Sequence, residues 1–390
     1  MKKVIVLGAG LVGSVMAADL ASDAALDVTL ADNRQDALDR AVAQAQPHKL
    51  ATLCADLSDT RTLKRTIEPF DMVVGALASA IGFASLRTII EAGKNFADIC
   101  FMPEDAIDLD SLAKEQNVTA VVDCGVAPGM SNLLAAHAAS QLDVAESITI
   151  YVGGLPRERC WPFEYKAGFS PSDVIEEYTR PSRIVEHGKI VVREALSEPE
   201  LLDFEGVGTL ESFNTDGLRS LAYTMKTPFM KEKTLRYPGH IELMRVFRET
   251  GLFGHDPIEI KDAQQGRTVQ VRPIDVISTL MFPKWTYEPG EQDLTVMRII
   301  VEGSCDGKQQ QHTWDLLDFF DVKTGCTSMS RTTAFPCAIM ARLVANGTFT
   351  QPGVNPPELF GNDPKIVSHI LAELASRGVE YRHRVTQIED

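Results

Sequence analysis

The sequence predicts an α/β fold in two parts: a doubly wound parallel sheet, followed by an α+β domain with a largely antiparallel sheet. Three observations carry this. Over the first 125 residues, short apolar, β-rich runs alternate with helical stretches. These runs end in small or acidic residues, as strands do when they are buried on both faces and present a ligand site at their C-terminal ends. Beyond about residue 145, short strands mix with Gly and Pro turns instead. A chain of 390 residues has room for two domains.

Residues 4–7 form the first strand, and Gly8-Ala9-Gly10-Leu11-Val12-Gly13 follows at once. Val15, Met16, Ala17 and Leu20 then recur at helical spacing. This is GxGxxG in the strand-to-helix context the motif needs. Gly8 permits the tight turn, Gly10 lets the backbone approach a pyrophosphate, and Gly13 lets the helix pack on the strand. The helix N-terminus, at Leu11 and Val12, offers free N–H groups to the phosphates. A structural α/β turn without a ligand is the plain alternative.

The second strand, 28–31, ends at Asp32, 19 residues after Gly13. A carboxylate there accepts hydrogen bonds from ribose hydroxyls and repels a 2′-phosphate, which favours NAD over NADP. Asn33 and Arg34 follow, and Arg34 could stack on adenine or pair with a phosphate. After the third strand, 51–54, Asp56 and Leu57 either border the adenine or lie at the start of the helix 60–67, with Asp56 or Ser58 as its cap. The fourth strand, 72–74, runs into Gly75-Ala76-Leu77-Ala78, small enough at Ala76 and Leu77 for the backbone to pass close to the cofactor. A helix over 84–92 stops at Gly93. A fifth strand, 96–97, ends at Asp98, and a sixth, 118–122, at Asp123-Cys124-Gly125. Six strands in this alternation define a Rossmann-type sheet.

A helix is expected over 130–141, behind Pro128, and a strand over 147–152. Helical texture returns at 334–345 and 366–374, and those apolar faces need the first domain to cover them. The expected division is 1–128 with 331–390 as the cofactor domain and 129–330 as a substrate-binding and oligomerisation domain. Alternating strands with edges to hide make a homo-oligomer the expected assembly.

The net charge of −16 leaves no electrostatic footprint for nucleic acid or anionic lipid. No run of about 20 apolar residues exists to span a membrane. The opening Met1-Lys2-Lys3 suits a signal peptide, but glycines at motif spacing interrupt the apolar run behind it. Seven cysteines without CxxC suit reduced thiols in a cytoplasmic protein, and no His lies at metal-ligand spacing from Asp or Glu, so no metal is expected.

Longer blocks are more restrictive than the glycine turn. They are Asp123-Cys124-Gly125-Val126-Ala127-Pro128-Gly129-Met130, Val152-Gly153-Gly154-Leu155-Pro156, Tyr165-Lys166, Ser212-Phe213-Asn214-Thr215-Asp216-Gly217 and Thr234-Leu235-Arg236-Tyr237-Pro238-Gly239-His240. With Ser328-Met329-Ser330-Arg331-Thr332-Thr333 they make the chain resemble the saccharopine dehydrogenase-like family along nearly its whole length. The resemblance implies NAD-dependent oxidation of an amine carbon, with the side-chain amine of lysine as hydride donor and ammonia released. It also implies a discontinuous cofactor domain. Two departures argue against saccharopine as substrate: Asp98 is followed by Ile99-Cys100-Phe101 rather than Ser-Tyr, and residues 78–82 lack a lysine.

Such chemistry needs a neutral amine, so a site must take its proton. Asp98 is the first candidate to orient amine or water, against a role in capping its own loop. His240 is the second, against a histidine held inside a Pro-Gly turn. Arg236 suits a bidentate clamp on an α-carboxylate, against a domain-interface ion pair. Tyr237 and Thr215 could add neutral hydrogen bonds. Arg331 reads as capping the returning helix. Two other activities fit the scaffold: a reductase joining an amine to an aldehyde, as in saccharopine or carboxynorspermidine formation, and a non-catalytic NAD-binding regulator.

Overall fold

The computed structural model describes residues 1–261 and 267–388. Six strands form the core of a parallel sheet: β1 (Lys2–Leu7), β2 (Leu26–Asp32), β3 (Ala51–Cys54), β4 (Met72–Gly75), β5 (Asn95–Asp98) and β6 (Thr119–Val121). All pair in parallel, in the order β6-β5-β4-β1-β2-β3. The central run Val4–Leu7 is buried on both faces, which is why it reads as unbroken apolar sequence.

The second sheet is mixed. Its long strands are β7 (Val144–Pro156), β11 (Gly208–Thr215) and β12 (Phe229–Arg236), with β8 (Ser182–Glu186), β9 (Lys189–Arg193) and β10 (Glu200–Phe204) beside them. A hairpin of β13 (Ile258–Lys261) and β14 (Thr268–Val271) stands apart. β15 (Asp293–Cys305) and β16 (Lys308–Phe319) complete the centre. Every pairing is antiparallel except β12 with β7.

The C-terminal part serves both sheets. The helix Ser328–Ala345 packs against the helix Leu11–Ala21 and strands β4 and β5. Asp19 fixes it there, 2.5 Å from Arg342 Nη1, and also holds the end of the later helix Pro364–Ser376, 2.7 Å from Arg377 Nε. A seventh parallel strand, β17 (Gly353–Asn355), then joins β6. The last strand, β18 (Tyr381–Gln387), crosses back and pairs with β16. The expected division therefore changes at the tail: residues 381–387 extend the second sheet, because β16 offers them an open edge. No helix among the described residues is long and apolar enough to cross a membrane.

Candidate active site

A cleft of about 1320 Å³ runs along the C-terminal edge of the parallel sheet, with the second domain as its far wall. Gly8, Gly10, Leu11, Val12, Gly13, Asp32, Asn33, Arg34, Asp56, Leu57, Ala76 and Leu77 all line it. At Gly8 φ is +101°, and a Cβ would stand 2.4 Å from the Ala76 carbonyl oxygen. A Cβ on Gly13 would stand 1.9 Å from the Gly8 carbonyl oxygen. The turn can therefore close only without side chains. Gly10 is the N-cap of Leu11–Ala21 and has open space before it, and no side chain caps this helix. Its first N–H groups face the cleft as an anion cradle.

Asp32 ties the second turn to this one. Its Oδ2 accepts from the Ala9 N–H at 2.7 Å and its Oδ1 from the Arg34 N–H at 2.8 Å. Asp56 accepts from the N–H and hydroxyl of Ser58. The cap of the following helix is Asp59, which accepts from the Thr62 N–H at 2.9 Å, so neither Asp56 nor Ser58 has that role. The glycine cradle, the ribose-level carboxylate and the small-residue turn at Ala76 fit a dinucleotide lying across the sheet edge.

The other half of the cleft adds carboxyls that the sequence does not single out. In the helix Pro171–Thr179, Val174, Ile175 and Tyr178 are buried in the second domain. Asp173, Glu176 and Glu177, with Arg180 just beyond the helix end, occupy the opposite stripe and line the cleft. Asp173 accepts from the Ser79 hydroxyl at 2.6 Å, a bond that crosses between domains, and burial raises its pKa. From the sheet comes Glu232 on β12, opposite Thr215 on β11. Glu232 is buried, accepts from the Thr215 hydroxyl, and lines the cleft. Thr215 Oγ1 is also 2.9 Å from Thr234 Oγ1. A Cβ on Gly217 would come within 2.3 Å of Glu232 Oε2, so the glycine makes room for the carboxyl. Burial pushes Glu232 up to about 8, with the Thr215 hydroxyl opposing.

Five expected roles change here. Asp98 is buried and outside the cleft lining; its Oδ1 accepts from the Cys100 N–H at 3.1 Å, so it caps its own loop. Burial raises it to about 7. His240 is also off the cleft. Its Nδ1 lies 2.7 Å from the Phe163 carbonyl oxygen, which can only accept, so Nδ1 carries the proton. Its Nε2 then accepts from the Tyr178 hydroxyl at 2.9 Å, and that oxygen accepts from Arg236 Nε at 3.1 Å. Burial, with Arg236 nearby, lowers His240 to about 3, so it stays neutral. Arg236 is no open clamp: its remaining nitrogens bond the Leu235 carbonyl at 2.9 Å and Glu177 at 2.5 Å. Tyr237 donates to the Pro156 carbonyl at 3.0 Å, outside the lining. Thr215, by contrast, does line the cleft, as the residue that holds Glu232. Arg331 sits inside its helix, which Thr327 caps, and donates to the Arg377 carbonyl at 2.7 Å. No cluster of His, Cys, Asp or Glu among the described residues is arranged to hold a metal ion.

A dinucleotide cradle thus faces a wall lined by Asp173, Glu176, Glu177 and the buried Glu232, the layout of an α/β nucleotide-binding protein with a second site across the cleft. Comparison with known proteins makes this narrower. Residues 4–121 match the family model for the saccharopine dehydrogenase NADP binding domain, and residues 125–379 match that for the saccharopine dehydrogenase C-terminal domain. The chain belongs to the saccharopine dehydrogenase family. The saccharopine dehydrogenase (NADP(+), L-glutamate-forming) of Pyricularia oryzae is 22% identical, over 98% of this chain and 99% of its own length. The mitochondrial alpha-aminoadipic semialdehyde synthase of Bos taurus is also 22% identical over 99% of this chain, which spans only 48% of that relative. Apo saccharopine dehydrogenase (L-Glu forming) from Saccharomyces cerevisiae has the same fold, with a TM-score of 0.79 at 18% identity over 99% of this chain and 100% of that one.

Proposed function

We propose that the protein is an NAD-dependent dehydrogenase that oxidises the side-chain amine of L-lysine to the 6-semialdehyde, releasing ammonia. The observation that carries this is a pair of carboxyls on the cleft wall, the buried Glu232 and the partly buried Asp173. Both are bonded to hydroxyls, and neither has a cationic partner among the described residues. Such groups suit a substrate that arrives as an ammonium and must lose a proton before it can react, since lysine's amine has a reference pKa of about 10.4. When bound, the nicotinamide supplies the acceptor for the hydride. Glu232 takes the ammonium proton and later holds the water that hydrolyses the imine. Asp173 adds a second negative charge beside the entering cation.

A second reading is a reductase that joins an amine to an aldehyde, and the names of the relatives favour it. One assay separates the two. Lysine with NAD alone should produce NADH under the first reading. The second requires an aldehyde partner and gives no signal from lysine. Absence of NADH with lysine, across pH 7–10, removes the first reading.

Cofactor choice rests on Asp32, in the cleft where ribose hydroxyls would lie. Asp32→Ala should raise the Kd for NAD by about 10-fold or more and narrow the preference over NADP, as loss of a hydrogen bond to a charged acceptor does. Titration of the purified protein with NADH and NADPH by fluorescence reads both constants. Equal affinities before and after substitution remove the ribose role.

A further inference from the structure

The second domain's side of the cleft holds two arginines, Arg180 and Arg236, and they differ in what they have left to give. Arg236 bonds through all three side-chain nitrogens. Arg180 bonds through one, Nη2, at 3.2 Å from Glu176 Oε2. Its Nη1 is buried with no partner among the described residues. A guanidinium cannot shed its charge, and a buried donor left unbonded is costly, so a site of this kind is completed by an anion.

The surroundings fix where that anion would lie. Arg180 follows the helix Pro171–Thr179, in line with the cleft-facing stripe of Asp173, Glu176 and Glu177. Its Cζ lies 5.2 Å from the centre of the Phe101 ring, which belongs to the loop after β5 and lines the cleft from the cofactor domain. The ring packs on the guanidinium at the cleft lining, where 16% of the Arg180 side-chain surface remains exposed. The fork matches a carboxylate in a way the compact ammonium of lysine would not.

We propose that Arg180 is the subsite for the carboxylate of the amino-acid substrate, and so selects amino acids over plain diamines. This rests on the reading of the protein as an oxidoreductase for an amino-acid amine. The α-carboxylate docks on Arg180, which leaves the distal amine to the hydroxyl-bonded carboxyls elsewhere on the wall.

The test compares L-lysine with pentane-1,5-diamine, which has the same amine and no carboxylate. Rates are normalised to cofactor-binding sites, so misfolded material drops out. In Arg180→Gln, KM for lysine should rise about 10- to 100-fold with kcat within about threefold, and the lysine-to-diamine ratio of kcat/KM should collapse. Arg180→Lys should recover part of that ratio. An unchanged ratio in Arg180→Gln overturns the proposal. If the wild type makes no NADH from lysine, the proposed reaction fails, and equilibrium dialysis with labelled lysine decides on Arg180 by itself. Tighter binding to the wild type than to Arg180→Gln supports the subsite. Equal binding, including none to either, overturns it.

Discussion

Glu232→Gln should lower kcat/KM for lysine oxidation by about 10²- to 10⁴-fold, the usual worth of a positioned general base. The amide keeps the shape of the side chain and its contact with Thr215 but cannot accept a proton. The pH profile gives the sharper reading. Burial pushes Glu232 up to about 8, so the base form gains population as pH rises through that value. In the wild type, kcat/KM should climb through about pH 8 and fall above the substrate amine's own pKa, because the site takes the ammonium form. In Glu232→Gln the rise through pH 8 should be lost, leaving a climb toward the amine's pKa as neutral amine appears in solution. Stability runs the other way. A carboxyl whose folded pKa is raised binds its proton more tightly in the native state, so stability is fullest below the unfolded pKa and falls as pH rises to the folded one. Replacing it by a neutral amide should therefore leave the melting temperature at pH 9 no lower than that of the wild type. A variant that loses the first inflection while keeping its fold marks Glu232 as the base. A variant with the wild-type profile assigns the proton to another group.

The two halves of the cleft differ in how much of them the sequence reveals. The cofactor half is local. Gly8 to Gly13, Asp32 and Ala76 sit at the ends of strands whose order follows from alternation, and their types are dictated by the backbone they must form. The substrate half is assembled from distant parts. Glu232 lies between Lys231 and Lys233 in a strand that reads as a solvated edge, and only its pairing with Thr215 and its burial make it unusual. Arg236 looks like a clamp until Glu177, 59 positions away, is seen to hold it. The same holds for His240, which sits among neighbours from three separate segments and is kept neutral by that burial and by Arg236. The cleft-facing stripe at 173, 176, 177 and 180 was open to discovery, since its spacing is helical and Val174, Ile175 and Tyr178 mark the opposite face. What the sequence does not state is that the charged side of this helix faces a cleft and not water. β18 escaped for a similar reason: its residues are mostly polar, and only the open edge of β16 makes them a strand.

Arg219→Leu should destabilise the protein by roughly 3–5 kcal/mol, because it strands a buried carboxylate. Arg219 is only 2% exposed, and Asp123, at the end of the cofactor domain's β6, is 5% exposed. Arg219 Nε lies 3.4 Å from Asp123 Oδ2, and Nη2 donates to the Glu104 carbonyl at 3.2 Å. The pair therefore joins the second domain to the sheet edge. Burial raises the Asp123 pKa, and Arg219 is the chief influence holding it down. Without the arginine the carboxyl should rise further, so the cost depends on pH. The charged form is favoured in the unfolded chain above about pH 4, while the folded form resists it until a higher pH. The gap in melting temperature between wild type and Arg219→Leu should thus be widest at pH 8–9 and narrow toward pH 5. Adding Asp123→Asn should recover most of the loss at pH 8–9, since a neutral amide needs no countercharge. If the double variant stays as unstable as Arg219→Leu, charge is not the cause. The contribution of Arg219 then lies in its packing on Phe101, 5.2 Å from the ring centre, and in the bond to Glu104. Phe101 also lies against Arg180 in the cleft. In that case the single variant should also raise KM for lysine, because the ring that steadies Arg180 has lost its other support.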